Sequence, residues 1–201
     1  MAKDAFYFLT PLGALVFLCF WAGFFWVAIA LLVLSGFVAF FFRDPERSIP
    51  EDPRAIVSPA DGKVVRLDQV GEDTILSIFL SLLNVHINRA PLEGTIIKQD
   101  YRPGKFLVAY DDRASVENEH LTITIAGQQK LTFSLIAGML ARRIRVWTKE
   151  GAHVHKGDKI GLIRFGSRVD VVLPPECEVV VRRGDRVYGG SSIIAYWKKS
   201  S

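Results

Sequence analysis

A long uncharged segment near the N-terminus limits the folds that are open to this chain. Residues 5–42, which are 38 consecutive positions, contain no Asp, Glu, Lys, Arg or His. One straight helix of that length would measure about 57 Å, whereas the hydrocarbon core of a bilayer is about 30 Å thick. A helix on the surface of a soluble protein keeps a polar face, and this segment has none. The segment therefore predicts a membrane anchor over residues 1–42.

The length of the segment favours a helical hairpin. Gly23 lies between Trp21 and Trp26, and tryptophan prefers the membrane interface, so we expect the chain to turn there. The two helices are predicted over residues 6–21 and 24–42. The alternative is a single span over residues 14–40 that follows an interfacial stretch.

Basic residues flank the uncharged segment on both sides. Lys3 precedes it, and Arg43 and Arg47 follow it. Cytoplasmic flanks of membrane segments are rich in such residues, so we expect the rest of the chain on the cytoplasmic face of the cell membrane. A secretory signal peptide is not expected, because the apolar segment is too long and no small-residue cleavage site follows it.

The remainder of the chain has the pattern of a β protein. Residues 43–54 hold three prolines and several charges, which predicts an extended linker. Short runs rich in β-branched residues follow, many of them alternating apolar with polar positions as half-buried antiparallel strands do. Strands are predicted at 62–67, 74–82, 95–99, 121–126, 131–136, 144–148, 159–163 and 169–173.

Two similar segments indicate how the β domain is arranged. Residues 154–160 and 181–187 each run from a strand through a Gly-Asp turn into another strand. Paired turns of this kind resemble the barrel-sandwich architecture of lipoyl and biotinyl carrier domains. The predicted fold is therefore mainly β, a barrel-sandwich domain preceded by an α-helical membrane hairpin.

Charge and cysteine content exclude some classes of function. The net charge of +4 is compatible with an anionic lipid surface, but the basic residues are too dispersed to predict nucleic-acid binding. A disulfide is not expected, because Cys19 lies inside the apolar segment and Cys177 lies in the β domain. No Cys/His spacing resembles a zinc site. We expect two free thiols and no metal.

An acid, an imidazole and a hydroxyl occur in the order Asp61, His86 and Ser167. Such groups make a nucleophile when the imidazole takes the hydroxyl proton and the carboxylate orients the ring. Each residue also has a structural interpretation: Asp61 as a turn residue, His86 as a core histidine, and Ser167 as part of a hairpin turn.

Six blocks of the chain carry a resemblance to a known family. They are Phe-Phe-Arg-Asp-Pro-Glu-Arg at 41–47, Ser-Pro-Ala-Asp-Gly-Lys-Val at 58–64, Phe-Leu-Ser at 79–81 with Val-His-Ile-Asn-Arg-Ala-Pro at 85–91, Tyr-Arg-Pro-Gly-Lys-Phe at 101–106, Glu-Asn-Glu at 117–119, and Phe-Gly-Ser-Arg-Val-Asp at 165–170. In this order they resemble the phosphatidylserine decarboxylases of the short, membrane-anchored form. The resemblance runs from about residue 41 to residue 195.

The resemblance implies a proenzyme that cuts itself between Gly166 and Ser167. Ser167 would become a covalent pyruvoyl cofactor, leaving two chains, 1–166 and 167–201, that stay together as a heterodimer. His86 would be the base, oriented by Asp61, that deprotonates the Ser167 hydroxyl. The catalytic domain, 55–201, would then convert phosphatidylserine to phosphatidylethanolamine and CO₂ through a Schiff base, with His86 as proton donor.

The sequence departs from the long bacterial enzymes of this family at two points. They carry Leu-Gly-Ser-Thr at the cut, whereas Arg168 follows Ser167 here. Arg168 is expected either to meet a substrate carboxylate or phosphate or to face solvent. The position of their second histidine is occupied by Leu83, so no role for a second histidine carries over.

Basic residues are the candidates for binding the headgroup phosphate. They are Arg89, Lys105 and Arg168, with Arg142 and Arg143 in addition. For Arg89, Lys105, Arg142 and Arg143 an ordinary surface charge is the preferred interpretation. The sequence leaves open whether the lipid is a diacyl or an archaeal-type ether lipid, and whether the protein is a homo-oligomer.

Two other classes of function remain as alternatives. A membrane-tethered carrier domain would need an exposed lysine at a hairpin tip, for which Lys156 and Lys159 are available. A metal hydrolase would use His153 and His155, which we expect on opposite faces of a strand or in a loop. No third ligand with suitable spacing accompanies these histidines.

Overall fold

The structure is a computed structural model that describes residues 1–104, 118–138, 144–163 and 167–198. The chain divides into two compact units, residues 1–46 and residues 47–201, and each is described by itself.

The first unit contains two helices. After a short 3₁₀ turn at Lys3–Ala5, helix α1 spans Phe6–Trp21 and helix α2 spans Phe25–Phe41. Gly23 lies between them with a φ of 81°, a conformation that glycine adopts without the steric penalty of a side chain. The predicted break at Gly23 and both predicted helices are therefore confirmed, and the alternative of one continuous helix over 14–40 is wrong.

Aromatic contacts hold the two helices side by side in opposite directions. The rings of Phe8 and Phe42 stack with centroids 5.6 Å apart, and Phe20 meets Phe25 edge-on at 5.2 Å. At the open end, the backbone N–H of Ala2 donates a hydrogen bond of 2.9 Å to the carbonyl oxygen of Phe42. The result is a helical hairpin.

Apolar side chains also cover the outside of the hairpin. Trp21 and Trp26, on either side of the turn, are 81% and 84% exposed. Among the residues that the structure describes, no helix has both the length and the hydropathy needed to cross a membrane. The membrane anchor therefore stays a prediction.

The second unit is built from antiparallel β-strands. In chain order they are β1 (Ala55–Val57), β2 (Gly62–Val70), β3 (Asp73–Leu80), β4 (Ile87–Arg89), β5 (Gly94–Arg102), β6 (His120–Ala126), β7 (Lys130–Ala137), β8 (Ile144–Val146), β9 (His153–Val154), β10 (Lys159–Ile163), β11 (Ser167–Leu173), β12 (Cys177–Val179), β13 (Arg186–Val187) and β14 (Ile193–Trp197). All eight predicted strands are present. The six other described strands have two to five residues and were not predicted.

The strands form one large sheet and two small ones. The eight-stranded sheet has the order β13-β2-β3-β11-β7-β6-β5-β9, and the small sheets have the orders β1-β14-β12 and β4-β10-β8. Strand β11 lies in the middle of the large sheet, with Ser167 opposite Leu80 of β3 and Ala137 of β7. The mainly β class is confirmed.

The core lies on one face of the large sheet. Along β11, the side chains of Val169, Val171 and Leu173 are all buried in the main apolar cluster. Because successive residues of a strand point to opposite faces, Ser167 shares this inner face, whereas Arg168 and Asp170 lie on the other.

The two similar sequence segments form two equivalent turns. Gly157 and Gly184 have φ values of 86° and 103°, which glycine tolerates best. In each turn the carboxylate of the next residue, Asp158 or Asp185, accepts a hydrogen bond of 2.8 Å from the backbone N–H three residues earlier. The predicted pair of Gly-Asp turns is confirmed.

Each turn is joined to a different strand end in the same way. The N–H of Gly157 donates to the carbonyl of Ala90, and that of Gly184 donates to the carbonyl of Val64, both at 2.8 Å. In return, the N–H groups of Ala90 and Val64 donate to the aspartate carbonyls of the turns at 2.8 and 2.9 Å. The unit therefore contains an internal pseudo-repeat. Ala90, four residues after His86, is bonded to the first turn, and Val64, three residues after Asp61, is bonded to the second.

Candidate functional site

Asp61 ends the turn between β1 and β2, and its side chain is buried. Nη2 of Arg47 donates to both carboxylate oxygens at 2.9 Å, and the backbone N–H of Gly189 donates to Oδ1 at 2.8 Å. A buried carboxylate needs such donors, because burial removes the water that would otherwise solvate its charge. Asp61 thereby joins the start of the β unit to the turn before β14.

His86 lies between β3 and β4 and is fully buried. Its Nδ1 is 2.9 Å from the carbonyl oxygen of Asn84. Since a carbonyl only accepts hydrogen bonds, Nδ1 carries the proton, and in the neutral ring Nε2 is left as the basic nitrogen. The contact with Asn84 thus selects the nitrogen that can take up a proton.

The backbone of His86 is joined to the strand that leads to Ser167. The carbonyl oxygen of His86 accepts a hydrogen bond of 3.3 Å from the N–H of Ile163, the last residue of β10. Ser167 follows four residues later, and four residues span at most about 14 Å. The nearby end of β3, at Leu80, is directly opposite Ser167. The topology therefore brings His86 and Ser167 into one region.

Ser167 is the first residue of β11 and is fully buried. Within the part of the chain that the structure describes, its hydroxyl has no hydrogen-bond partner. Leaving a buried hydroxyl unsatisfied costs about 1–3 kcal/mol, so such a group in a native protein needs an explanation.

The structure places Asp61 and His86 in separate hydrogen bonds, so their expected pairing stays a prediction. In the described residues, the carboxylate of Asp61 is occupied by Arg47 and Gly189, and Nδ1 of His86 faces Asn84. A guanidinium is a stronger partner for a buried carboxylate than a neutral imidazole, because its charge offsets the desolvation of the acid. The catalytic roles of both residues stay predictions as well.

Two of the basic candidates are buried, so their interpretation as surface charges is wrong. Arg89 donates through Nη1 to the carbonyl oxygen of Gly157 at 3.0 Å, which holds one of the two paired turns. Arg168 is 2% exposed, and its Nη2 donates to Asp170 Oδ2 at 3.1 Å while Nε lies 2.9 Å from Oδ1. The alternative that Arg168 faces solvent is therefore excluded.

Several predicted site residues lie outside the described residues. They are Gly166 at the predicted cut and the basic residues Lys105, Arg142 and Arg143.

The structure adds residues to the site that had no predicted role there. Arg47 belongs to the block at 41–47, and Asn84 is close to the block at 85–91. Asn118 donates through Nδ2 to the carbonyl oxygen of Ala137 at 2.8 Å, and Ala137 is the neighbour of Ser167 on β7. Arg47 and Asn118 both lie in sequence blocks that resemble the family, and that resemblance was the signal that could have found them. The blocks alone do not show which side chains are in contact.

Other nucleophilic groups in the β unit are engaged or inert. Burial raises the pKa of the Cys177 thiol to about 12, aided by the nearby charge of Glu176, so the thiol stays protonated at neutral pH. The ammonium of Lys156 donates to the carbonyl oxygen of Asp52 at 2.6 Å, and partial burial lowers its pKa. Lys156 is thus bound to the protein rather than presented as a carrier lysine would be.

The expectation that the two histidines at 153 and 155 lie on opposite faces of a strand is wrong, whereas the alternative of a loop holds for His155, which follows the end of β9. Their rings are 5.4 Å apart on one side of the chain, not on opposite faces. Each ring also has a nitrogen near Oε1 of Glu93. Residues two apart in a strand share a face, and that periodicity applies here.

Together, these features define the class of protein: a β-sheet protein with a buried serine at the start of its central strand and a buried imidazole in the same region. Comparison with known proteins gives the family. The family model for phosphatidylserine decarboxylase matches residues 34–195. The chain therefore belongs to the phosphatidylserine decarboxylase family and is a decarboxylase, as its sequence blocks predicted.

Individual relatives cover almost the whole chain. The phosphatidylserine decarboxylase proenzyme of Solibacter usitatus is 51% identical over 169 residues, which cover 84% of this chain and 82% of the relative. That of Symbiobacterium thermophilum is 45% identical over 204 residues, covering 96% and 94%. That of Geobacter metallireducens is 44% identical over 179 residues, covering 85% and 82%.

Proposed function

We propose that this chain is a self-cleaving proenzyme that converts phosphatidylserine to phosphatidylethanolamine and CO₂. One observation carries the proposal: in a member of this family, the residue after the predicted cut is a fully buried serine with an unsatisfied hydroxyl. The relatives are named as proenzymes, which agrees with a chain that must be processed.

The cut would be made by the chain's own side chains. Nε2 of His86 takes the proton of the Ser167 hydroxyl, and the oxygen attacks the carbonyl carbon of Gly166. The peptide C–N bond breaks, so the first chain becomes an ester of Ser167 with a free amino group beside it. Loss of the Ser167 α-proton then expels the carboxylate of Gly166, and water replaces the nitrogen by a ketone with release of ammonia.

The surroundings of Ser167 fit a pyruvoyl group. Conversion removes the hydroxyl, and no described residue loses a hydrogen bond by that change. The position at the first residue of β11 also suits a new chain terminus, since the ladder with β3 and β7 begins there. A pyruvoyl group there would supply a ketone that bonds to the substrate amine and accepts the electron pair released with CO₂.

His86 would act a second time in the mature enzyme. The same Nε2 that removes a proton during the cut can return one to the substrate carbon that has lost CO₂. Asn84 keeps the ring in one tautomer throughout, because its carbonyl oxygen holds the proton on Nδ1. Asp61 and Arg47 would support the site as a fixed, charge-balanced pair.

The two cleavage products would remain together. The smaller chain, residues 167–201, contributes β11 between β3 and β7, β14 between β1 and β12, and β13 beside β2. Strands β11 and β14 are therefore central strands of two of the three sheets, and separating the chains would expose the core. We infer a heterodimer with a barrel-sandwich fold, supported by the paired Gly-Asp turns.

The hairpin would hold the enzyme at its substrate. Helices α1 and α2 have 16 and 17 residues, so each is about 24–26 Å long, slightly shorter than a typical hydrocarbon core. A bilayer can thin to accommodate such helices. We infer that the hairpin inserts into the cell membrane, with the β domain on the cytoplasmic face, because both flanks carry basic residues.

The intact mass of the freshly purified protein tests the proposal. We expect two chains, residues 1–166 and 167–201, the smaller one lacking a free amino terminus. Ser167→Ala should give a single uncut chain that does not release CO₂ from phosphatidylserine. A Ser167→Ala protein that is still cut at this bond, or an uncut wild-type chain that turns over the lipid, would refute the proposal.

A further inference from the structure

The edge of the large sheet places a carboxylate beside two imidazoles. Strand β9 pairs antiparallel with β5, with Val154 opposite Gly94 and His153 opposite Thr95. Continued by one position, this register sets His155 opposite Glu93. Directly opposite residues of an antiparallel pair have their side chains on the same face, as do residues two apart in one strand. Glu93, His153 and His155 are therefore brought to one face by the backbone.

The distances between the three side chains have the scale of a metal site. Nε2 of His153 is 3.5 Å from Oε1 of Glu93, and Nδ1 of His155 is 3.6 Å from the same oxygen. The three ligand atoms all lie within 4.8 Å of one another. With metal–ligand bonds of 2.0–2.2 Å and tetrahedral angles, neighbouring ligand atoms of a zinc ion are about 3.4 Å apart.

The cluster is open to solvent. The side chains of His153, His155 and Glu93 are 56%, 71% and 61% exposed, and all three border a surface cavity of about 670 Å³. Lys156, which also lines the cavity, directs its ammonium to the carbonyl oxygen of Asp52, and its charge interacts favourably with that of Glu93. An ion can therefore reach the three ligands without displacing a protein group.

We propose that Glu93, His153 and His155 bind a divalent transition-metal ion, Zn²⁺ in the first place. Two imidazoles and one carboxylate suit zinc, and Cu²⁺ and Ni²⁺ also accept imidazole ligands. His153 binds through Nε2 and His155 through Nδ1, the nitrogens that face Glu93. Water fills the remaining position on the cavity side. The site is separate from the chemistry at Ser167, for which we expected no metal, and does not depend on it.

Zinc binding to the full-length protein tests this site. The protein is prepared without a histidine tag, treated with a chelator, dialysed, and titrated with ZnCl₂ in a non-coordinating buffer. Calorimetry gives the affinity, and elemental analysis after gel filtration gives the zinc content. We expect one zinc ion per protein molecule. With Co²⁺ we expect an absorption spectrum typical of four-coordinate geometry.

Ligand variants identify the residues that bind. His153→Ala, His155→Ala and Glu93→Gln are each expected to weaken zinc binding by about tenfold or more, since loss of outer-shell partners alone costs 10–100-fold. His120→Ala and Glu72→Gln are the matched controls and should bind zinc as the wild type does. The side chains are exposed, so the metal-free variants should unfold at the wild-type temperature. Wild-type stoichiometry and affinity in the triple variant, or no zinc bound by the wild-type chain, would overturn the proposal.

Discussion

The proton on Nδ1 of His86 decides which chemistry the imidazole can perform. The ring is fully buried, so water cannot exchange its tautomers freely, and the carbonyl oxygen of Asn84 accepts the Nδ1 proton. Nε2 is then the nitrogen with a lone pair. In the proposed mechanism, the backbone carbonyl of Asn84 would orient the ring without adding a negative charge.

His86→Ala should block self-cleavage, because no other described imidazole is placed beside the strand that leads to Ser167. Intact mass spectrometry of the freshly purified variant is expected to show mainly the single 201-residue chain. His120→Ala is a matched control, since Nδ1 of His120 also faces a backbone carbonyl two residues earlier, at 2.9 Å. Normal cutting of the His86 variant would remove this residue from the mechanism.

The ion pair between Arg47 and Asp61 is a second feature at the scale of single residues. Both side chains are about nine-tenths buried. Removing one member of a buried pair leaves an uncompensated charge, which costs about 3–5 kcal/mol. Arg47→Met should therefore lower the free energy of unfolding by about 3 kcal/mol, measured by denaturant titration in a Ser167→Ala background so that every sample is one uncut chain.

Two further variants separate this effect from a general loss of charge. Arg47→Met combined with Asp61→Asn should recover part of the stability, because it removes the buried charge that the single variant leaves alone. Arg54→Met breaks the exposed contact with Asp52 and should leave the unfolding midpoint unchanged. Equal losses of unfolding free energy in the Arg47 and Arg54 variants would show that the buried pair stabilises the protein no more than the exposed one.

At the scale of elements, the paired Gly-Asp turns have the same backbone but different surroundings. A Cβ atom at Gly157 would lie 2.4 Å from Cδ1 and 2.9 Å from Cγ1 of Ile49, whereas one at Gly184 would meet nothing within 4 Å. The first turn thus packs against the segment that enters the β unit, and the second faces open space.

Alanine at these glycines should therefore destabilise the protein unequally. Gly184→Ala is expected to cost about 1 kcal/mol, from the positive φ alone. Gly157→Ala adds the displacement of Ile49 and should cost about 2–3 kcal/mol. The comparison uses the unfolding midpoints of the two variants in the Ser167→Ala background. If Gly184→Ala were the more damaging, the packing of the first turn would not be the cause.

At the scale of the whole molecule, the chain combines an apolar hairpin with a β unit that has its own core. The hairpin exposes most of its large apolar side chains, whereas the β unit buries a continuous cluster of them. Exposed apolar surface of this extent needs a partner, and the substrate class of the family is a lipid. This contrast supports the proposal that the hairpin attaches the protein to a membrane and that the β unit carries the catalytic site.

Fluorescence in vesicles tests the proposed insertion. Trp21 and Trp26 flank the turn, so lipids brominated near the headgroup should quench their emission. Replacing both by Phe should abolish most of this quenching, whereas Trp147→Phe, in the β unit, should not. Equal quenching of the wild type and the Trp21/Trp26 variant would contradict insertion of the turn.

Local patterns in the sequence were sufficient to predict both helices and many of the strands and turns. The uncharged segment with Gly23 predicted both helices nearly to the residue, and alternation predicted eight of the described strands, among them the six of seven or more residues. The Gly-Asp turns were also predictable, because positive φ angles and short polar side chains act within a few residues. Hydrophobic periodicity and turn chemistry depend on neighbours in the chain, so a sequence carries them without a structure.

Tertiary structure alone decided which side chains meet. Asp61 pairs with Arg47, Arg168 is buried with Asp170, and Glu93 completes a cluster with His153 and His155. The partner of Asp61, Arg47, is 14 positions away in the chain, and the partners of Glu93 are at least 60 positions away. Such contacts depend on strand register, on the order of strands in the sheets, and on which charge best offsets burial, and none of these is encoded in a local pattern.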